Sequence, residues 1–301
     1  MNAPARSPGP WTHRDVRARG ISFHVVIAGD DTSRLTVVLL HDFPLHWWSW
    51  RSQISALAEA GYRVLAVDLR GLGGSDLQPG PVELDELARD VIAVCDATGT
   101  ASYSVVGSGL GGAVAWTIAH LDPPGLRSVV TVCAPHPLTR HRRSASPTGT
   151  AGRVDRELGI PFYRSRRLQD GTLVRSVLTT WCAPESADQM ASLAPHYAAS
   201  FQRSTATKAA LETQKAARRP SSSAKEALEG TITVPVWSIR GGADRRVSRD
   251  AYSEDVTHAH VPITHLEIAE AGHFPNEETP DQLTDLLRAH LTSVYERGGA
   301  G

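Results

Sequence analysis

The segment from Val106 to Trp116, V-G-S-G-L-G-G-A-V-A-W, has the glycine spacing of a sharp turn from a strand into a helix. A turn of this kind can present a nucleophile at its tip. The tip backbone is held at unfavourable angles, and the residues two before and two after it must be small. Gly107 and Gly111, with Gly112 beside it, meet that demand only when the tip is Gly109. If Ser108 were the tip, Val106 and Leu110 would flank it, and both are too bulky. Ser108 therefore precedes the tip; its hydroxyl is a candidate to reach the site, but not the group in frame to attack. Gly109 has no side chain, so the nucleophile position is vacant. S-G-L-G-G also reads as an ordinary glycine-rich turn, or as a lone, degenerate dinucleotide fingerprint. The rest of the chain has to decide.

The elements around this turn alternate. The 301 residues are 41% hydrophobic and 21% charged, an ordinary balance for a soluble protein with a large core. A net charge of -1 gives no global field toward nucleic acid or an anionic membrane. Cys95, Cys133 and Cys182 lie far apart; the first two sit in apolar runs and read as buried small hydrophobes, which fits a reducing cytoplasm. The N-terminal stretch lacks an apolar signal region, and no run approaches membrane-spanning length. Residues 21–27, 35–41, 63–68, 103–107 and 128–133 read as strands. Helical spacing appears over 47–60, 84–98 and 110–120. This order predicts an α/β fold with a mostly parallel twisted sheet and helices on both faces. It breaks at Ala134-Pro135-His136-Pro137. Residues 138–230 offer no good buried strand and read as a helical cap, with helices near 173–182, 187–202 and 207–217. The P-S-S-S run from Pro220 reads as a flexible return linker. Strands resume at 234–240 and 264–268, and a helix covers 280–295. The core is thus 1–137 and 231–301, split by a lid.

Four further segments fall at strand ends, where open α/β sheets place their sites. They are His41-Asp42-Phe43-Pro44 before W-W-S-W-R, V-D-L-R-G-L-G-G-S-D from Val67 to Asp76, I-R-G-G-A-D from Ile239 to Asp244, and A-G-H-F-P-N-E-E-T-P from Ala271 to Pro280. Taken together and in order, they resemble the α/β-hydrolase superfamily, in its epoxide-hydrolase-like branch, over nearly the whole chain. The resemblance implies that Asp244 orients His273, and that backbone N–H groups of Phe43 and Leu110 form an oxyanion hole. It treats Val67 to Asp76 as structural. Each residue also has a plainer reading. Asp244 could be a turn residue paired with Arg245 or Arg246, and His273 alone could be a packing histidine. The family glycine is replaced by Asp42, which reads more readily as a turn residue tolerant of left-handed angles; the sharper reading puts a carboxylate near the vacant tip.

The departures limit what carries over. Epoxide hydrolases attack with an Asp at the tip, which Gly109 cannot supply. Thr213 and Gln214 stand where the resemblance leads one to expect an aromatic acid donor. Tyr163 and Tyr197 remain in the lid, and with Trp47 they are candidate substrate-binding residues; packing is the other role for each. Leu110 stands where haloalkane dehalogenases often have Trp. The expectation is an enzyme acting on a small, mostly apolar molecule, with His273 and Asp244 activating water as a general base without a covalent intermediate. Asp42 and Ser108 are the candidates for a compensating group. The alternative is a catalytically inactive pseudo-hydrolase that binds a ligand or a partner. No cofactor or metal is implied, nucleic-acid and membrane binding are not expected, and a homodimer is compatible with the sequence.

Overall fold

The computed structural model describes residues 6–33, 35–76, 82–142, 149–158, 160–202, 204–218 and 220–298. Eight strands form one sheet: β1 (Thr12–Ala18), β2 (Ile21–Ala28), β3 (Thr36–Leu40), β4 (Arg63–Val67), β5 (Tyr103–Ser108), β6 (Leu126–Val132), β7 (Val236–Gly241) and β8 (Ile263–Ile268). Their order is β1-β2-β4-β3-β5-β6-β7-β8. β1 and β2 pair antiparallel, as do β2 and β4; every other pairing is parallel.

The central strands are apolar along their length because both sheet faces are covered. In β3, T-V-V-L-L, every residue is buried. Its alternation divides two cores: Val38 and Leu40 join the cluster that includes Leu87, Val91, Val114 and Trp116. Val37 and Leu39 join the cluster with Ile54, Leu57, Leu283 and Leu287. The first cluster is the face of α2 (Leu84–Ala97) and α3 (Leu110–Leu121); the second belongs to α1 (Arg51–Glu59) and the closing helix α12 (Pro280–Gly298).

Between β6 and β7 the described residues hold α4 (Pro137–Arg142), α5 (Gly149–Glu157), α6 (Pro161–Gln169), α7 (Thr172–Trp181), α8 (Ala187–Ala198), α9 (Ser204–Arg218) and α10 (Ser222–Ala227). A short α11 (Pro275–Glu278) precedes α12. Three local expectations change. The first half of the segment 47–60 is a 3-10 turn over Trp47–Trp50, capped by His46. The P-S-S-S run is not a linker: Ser221 caps α10 by accepting from the Ala224 N–H. β1 was not expected, because T-H-R-D-V-R-A buries only Val16 and Ala18; a polar strand with a partner on one side is typical of a sheet edge.

The V-D-L-R-G loop holds the switch from β4 to the site side. Asp68 is buried and accepts from the Trp47 N–H, the Gly74 N–H and His24 Nδ1, each at 2.8 Å. Burial works to raise its pKa, but His24 and the neighbouring histidines outweigh burial and hold it at about 2. Removing this buried acceptor strands three donors. Asp68→Ala should lower unfolding stability by about 3–5 kcal/mol, read from urea denaturation curves; a change under about 1 kcal/mol would show the loop to be supported elsewhere.

Candidate active site

The site gathers at the carboxyl ends of the parallel strands, as such sheets dictate. Asp42 follows β3, Gly109 follows β5, Asp244 follows β7 and His273 follows β8. Gly109 links β5 to α3 with φ 50 and ψ -104, a strained angle that a glycine takes at little cost. A Cβ at Gly107 would lie 2.1 Å from the Gly111 carbonyl, and one at Gly111 would lie 2.3 Å from the Leu40 carbonyl. Strand and helix approach so closely here that only glycines fit, which is the spacing rule that put the tip at Gly109.

The space above Gly109 is filled. A Cβ built on it would lie 2.0 Å from Asp42 Cγ and 2.2 Å from each Asp42 carboxylate oxygen. The Asp42 carboxylate, from the loop after the neighbouring strand β3, occupies that space. Asp42 does open a turn, its carbonyl accepting from the Leu45 N–H, but its backbone is not left-handed and its side chain is buried, so it is more than a turn residue. Its side chain turns inward because Oδ1 accepts from the Leu110 N–H at 2.7 Å, the first amide of α3. Oδ2 faces His273 Nε2 at 3.2 Å and Arg246 Nη1 at 3.4 Å. Burial works to raise the Asp42 pKa; the bonds and charges from His273 and Arg246 and the Leu110 N–H more than offset it and hold it at about 2.

His273 Nδ1 lies 2.8 Å from Asp244 Oδ2, and both side chains are buried. Asp244 is itself fixed by the backbone: its Oδ1 accepts from the Arg246 N–H at 2.7 Å and the Val247 N–H at 3.1 Å. Burial opposes charge on His273, but Asp244 and Asp42 outweigh it, so its pKa is raised above 6.5. Nε2 also lies 2.8 Å from Arg246 Nη1. A guanidinium only donates. As neutral imidazole Nε2 therefore accepts from Arg246; as imidazolium it donates to Asp42. The proton state selects the partner.

Arg246 is the functional neighbour that sequence reasoning missed. G-A-D-R-R suggested a solvent-facing pair with Asp244, yet Arg246 is buried and stacks on the Trp181 ring at 3.8 Å. Trp181, at the end of α7, is edge-on to His273 with centroids 5.5 Å apart, and its carbonyl accepts from the His273 N–H. Glu278 was also missed, although it stands in the quoted E-E-T-P. Its carboxylate accepts from the N–H groups of Gly272, Phe274 and lid residue Ala183. It thus positions the histidine loop and the lid together.

The other candidates fall elsewhere. Ser108 is buried, and its hydroxyl has no hydrogen-bond partner among the described residues. Phe43 is buried, its ring 6.2 Å from that of Phe201. Trp47 packs on Trp11 and His13, at centroid distances of 5.3 and 5.2 Å. Tyr197 gives its hydroxyl to Glu277, which also accepts from Arg51. Tyr163 lies on α6, with its side chain outside the described residues. Thr213 Oγ1 donates to the Arg70 and Ala209 carbonyls, and Gln214 is buried. Cys133, Asp244 and His273 bring three donor atoms within 4.8 Å of one another. Burial pushes the Cys133 thiol up, its sulfur is engaged by the Gly272 carbonyl and the Gly241 N–H, and His273 Nδ1 is bound to Asp244, so the set does not suit a metal cage. A cleft of about 390 Å³ lies between residues 71–76 and lid residues Ser200, Phe201, Thr205 and Ala206.

A family model described as the alpha/beta hydrolase fold matches residues 36–280. The chain belongs to the α/β-hydrolase fold family, and within it is epoxide-hydrolase-like. It is 30% identical to the AB hydrolase superfamily protein YfhM of Bacillus subtilis over 92% of this chain and 96% of that protein. It is 44% identical to epoxide hydrolase B of Mycobacterium tuberculosis over 126 residues, 41% of this chain and 35% of that protein. The crystal structure of epoxide hydrolase A from Mycobacterium thermoresistibile matches with a TM-score of 0.73 at 24% identity, covering 92% of this chain and 97% of that one.

Side chains at positions 42 and 109 exclude each other. Gly109→Ala should destabilise the chain by about 2–4 kcal/mol, adding overlap with Asp42 to strain at a positive φ. In Asp42→Gly the same change should cost about 1–2 kcal/mol, the strain alone. A double-mutant cycle by urea unfolding measures the difference; additive costs would place the Asp42 carboxylate away from the tip.

Proposed function

We propose that the chain is a hydrolase acting on a small, mostly apolar molecule, with His273 as the base that activates water and Asp244 as the group that orients it. The observation that carries this reading is the buried Asp244–His273 contact, with Nε2 directed at the carboxylate that takes the tip position. A carboxylate on Nδ1 fixes the tautomer in which Nε2 is the acceptor, and stabilises the imidazolium that results. The Leu110 N–H at the head of α3 is aimed at the same spot, where it donates to Asp42 Oδ1. Trp181 and Phe274 lie edge-on to the His273 ring, with centroids 5.5 and 5.3 Å away, and this apolar setting suits an apolar substrate. Three buried, free cysteines support placement in a reducing cytoplasm.

One observation favours a second reading, a pseudo-hydrolase that binds a ligand or partner without turnover. Arg246 sits on the base nitrogen, and the central residues are enclosed, with Asp42 at 1% and His273 at 0% exposure. Turnover decides between the two.

A panel of epoxides, esters and lactones should give hydrolysis that falls about 10²–10⁴-fold in His273→Ala. Water activation needs neutral Nε2, and the His273 pKa is raised, so kcat should rise with pH through a limb centred above 6.5. Asp244→Asn removes the largest influence raising that pKa, so the limb should move to lower pH while kcat drops. Equal background in wild type and His273→Ala would sink the hydrolase reading.

A further inference from the structure

The geometry points to Asp42 as the nucleophile, relocated from the elbow tip to the loop after β3, attacking a carbon of an epoxide. This rests on the hydrolase reading above and replaces direct attack by water on the substrate. The two Asp42 oxygens are already divided by role. Oδ1 is held by the Leu110 N–H at 2.7 Å, while Oδ2 faces the His273 base at 3.2 Å. The carboxylate lies where the side chain of a tip residue would begin, 2.0 Å from the Cβ that Gly109 lacks. The partners that make the buried carboxylate tolerable also aim it, with one oxygen fixed by a helix amide and the other left beside the base of the dyad.

The steps balance. Oδ2 forms a bond to an epoxide carbon as the carbon–oxygen bond of the ring breaks. The ring oxygen leaves as alkoxide, beside the fixed positive charge of Arg246, and takes the Nε2 proton of the His273 imidazolium. An ester of Asp42 remains, its carbonyl oxygen Oδ1 polarised by the Leu110 N–H. Neutral His273 then removes a proton from water, which adds to Asp42 Cγ. The tetrahedral species collapses, its Cγ–Oδ2 bond breaks, and the diol leaves with a proton from His273. The new carboxylic acid returns its proton to His273. One water is consumed; its oxygen stays on Asp42, and the old Oδ2 departs in the product.

The oxygen bookkeeping gives the test. Wild-type protein in excess over styrene oxide is mixed in H₂¹⁸O for a single turnover, and the product and the Asp42 peptide are weighed by mass spectrometry. The expected result is unlabelled diol and an Asp42 peptide heavier by one ¹⁸O. At a pH well below the His273 limb, ester hydrolysis should stall and the intact protein should carry one added styrene oxide, absent in Asp42→Asn. Labelled diol with an unlabelled Asp42 peptide overturns the proposal but leaves the hydrolase reading standing. So does Asp42→Asn, shown to be folded by cooperative melting, that keeps wild-type turnover. Absence of both diol and adduct with styrene oxide overturns it as well; hydrolysis in the ester and lactone arms then judges the hydrolase reading separately.

Discussion

The bond from the Leu110 N–H to Asp42 Oδ1 organises the rest of the site. A buried carboxylate costs several kcal/mol unless partners replace its water. Here it meets the leading amide of α3, a helix of 12 residues whose N-terminus favours negative charge, together with His273 and Arg246. Once it is lodged there, residue 109 must be glycine, for the reason of volume as well as backbone angle. Arg246 is drawn inward as the matching charge, and Trp181 gives that guanidinium a flat surface to rest on. The vacancy at the tip and the unusual aspartate after His41 are one feature seen from two strands.

The lid and the base are anchored together. Glu278 takes three backbone N–H groups, two from the histidine loop and one from Ala183, and the Trp181 carbonyl takes the N–H of His273. Movement of the end of α7 would therefore disturb the imidazole. On the opposite side, Phe201 stands between the cleft beside residues 71–76 and Phe43. That side is tied as well, because Thr213 of α9 donates to the Arg70 carbonyl.

Much of the fold was legible because its strands are short apolar runs between turn signals, and because the helix after Gly109 needs its glycines to pass β3. The elbow frame followed from the same steric rule. Asp244 and His273 were legible through their loops and their order. What sequence could not convey was direction. Asp42 occupies a turn position by residue type; only the nearby amide of α3 shows that its side chain points inward. Arg246 next to Asp244 looked like a surface pair, because nothing local reveals that Trp181, 65 residues earlier by number, supplies a ring beneath it. β1 escaped because an edge strand buries too little to leave an alternating pattern. Tyr197 and Trp47 are aromatic for packing or for holding Glu277, a choice set by partners distant in sequence.

The overlap above Gly109 also bears on how such a site could have arisen. A chain with the carboxylate at residue 109 and glycine at 42 differs from this one by two changes. Gaining Asp42 first would force two carboxylates into one volume, which the 2.0 Å approach forbids. The path that folds at every step loses the tip side chain first and passes through a form with no carboxylate at the tip. Return would cross the same gap. The arrangement is thus a ratchet, held in place by steric exclusion between two strands.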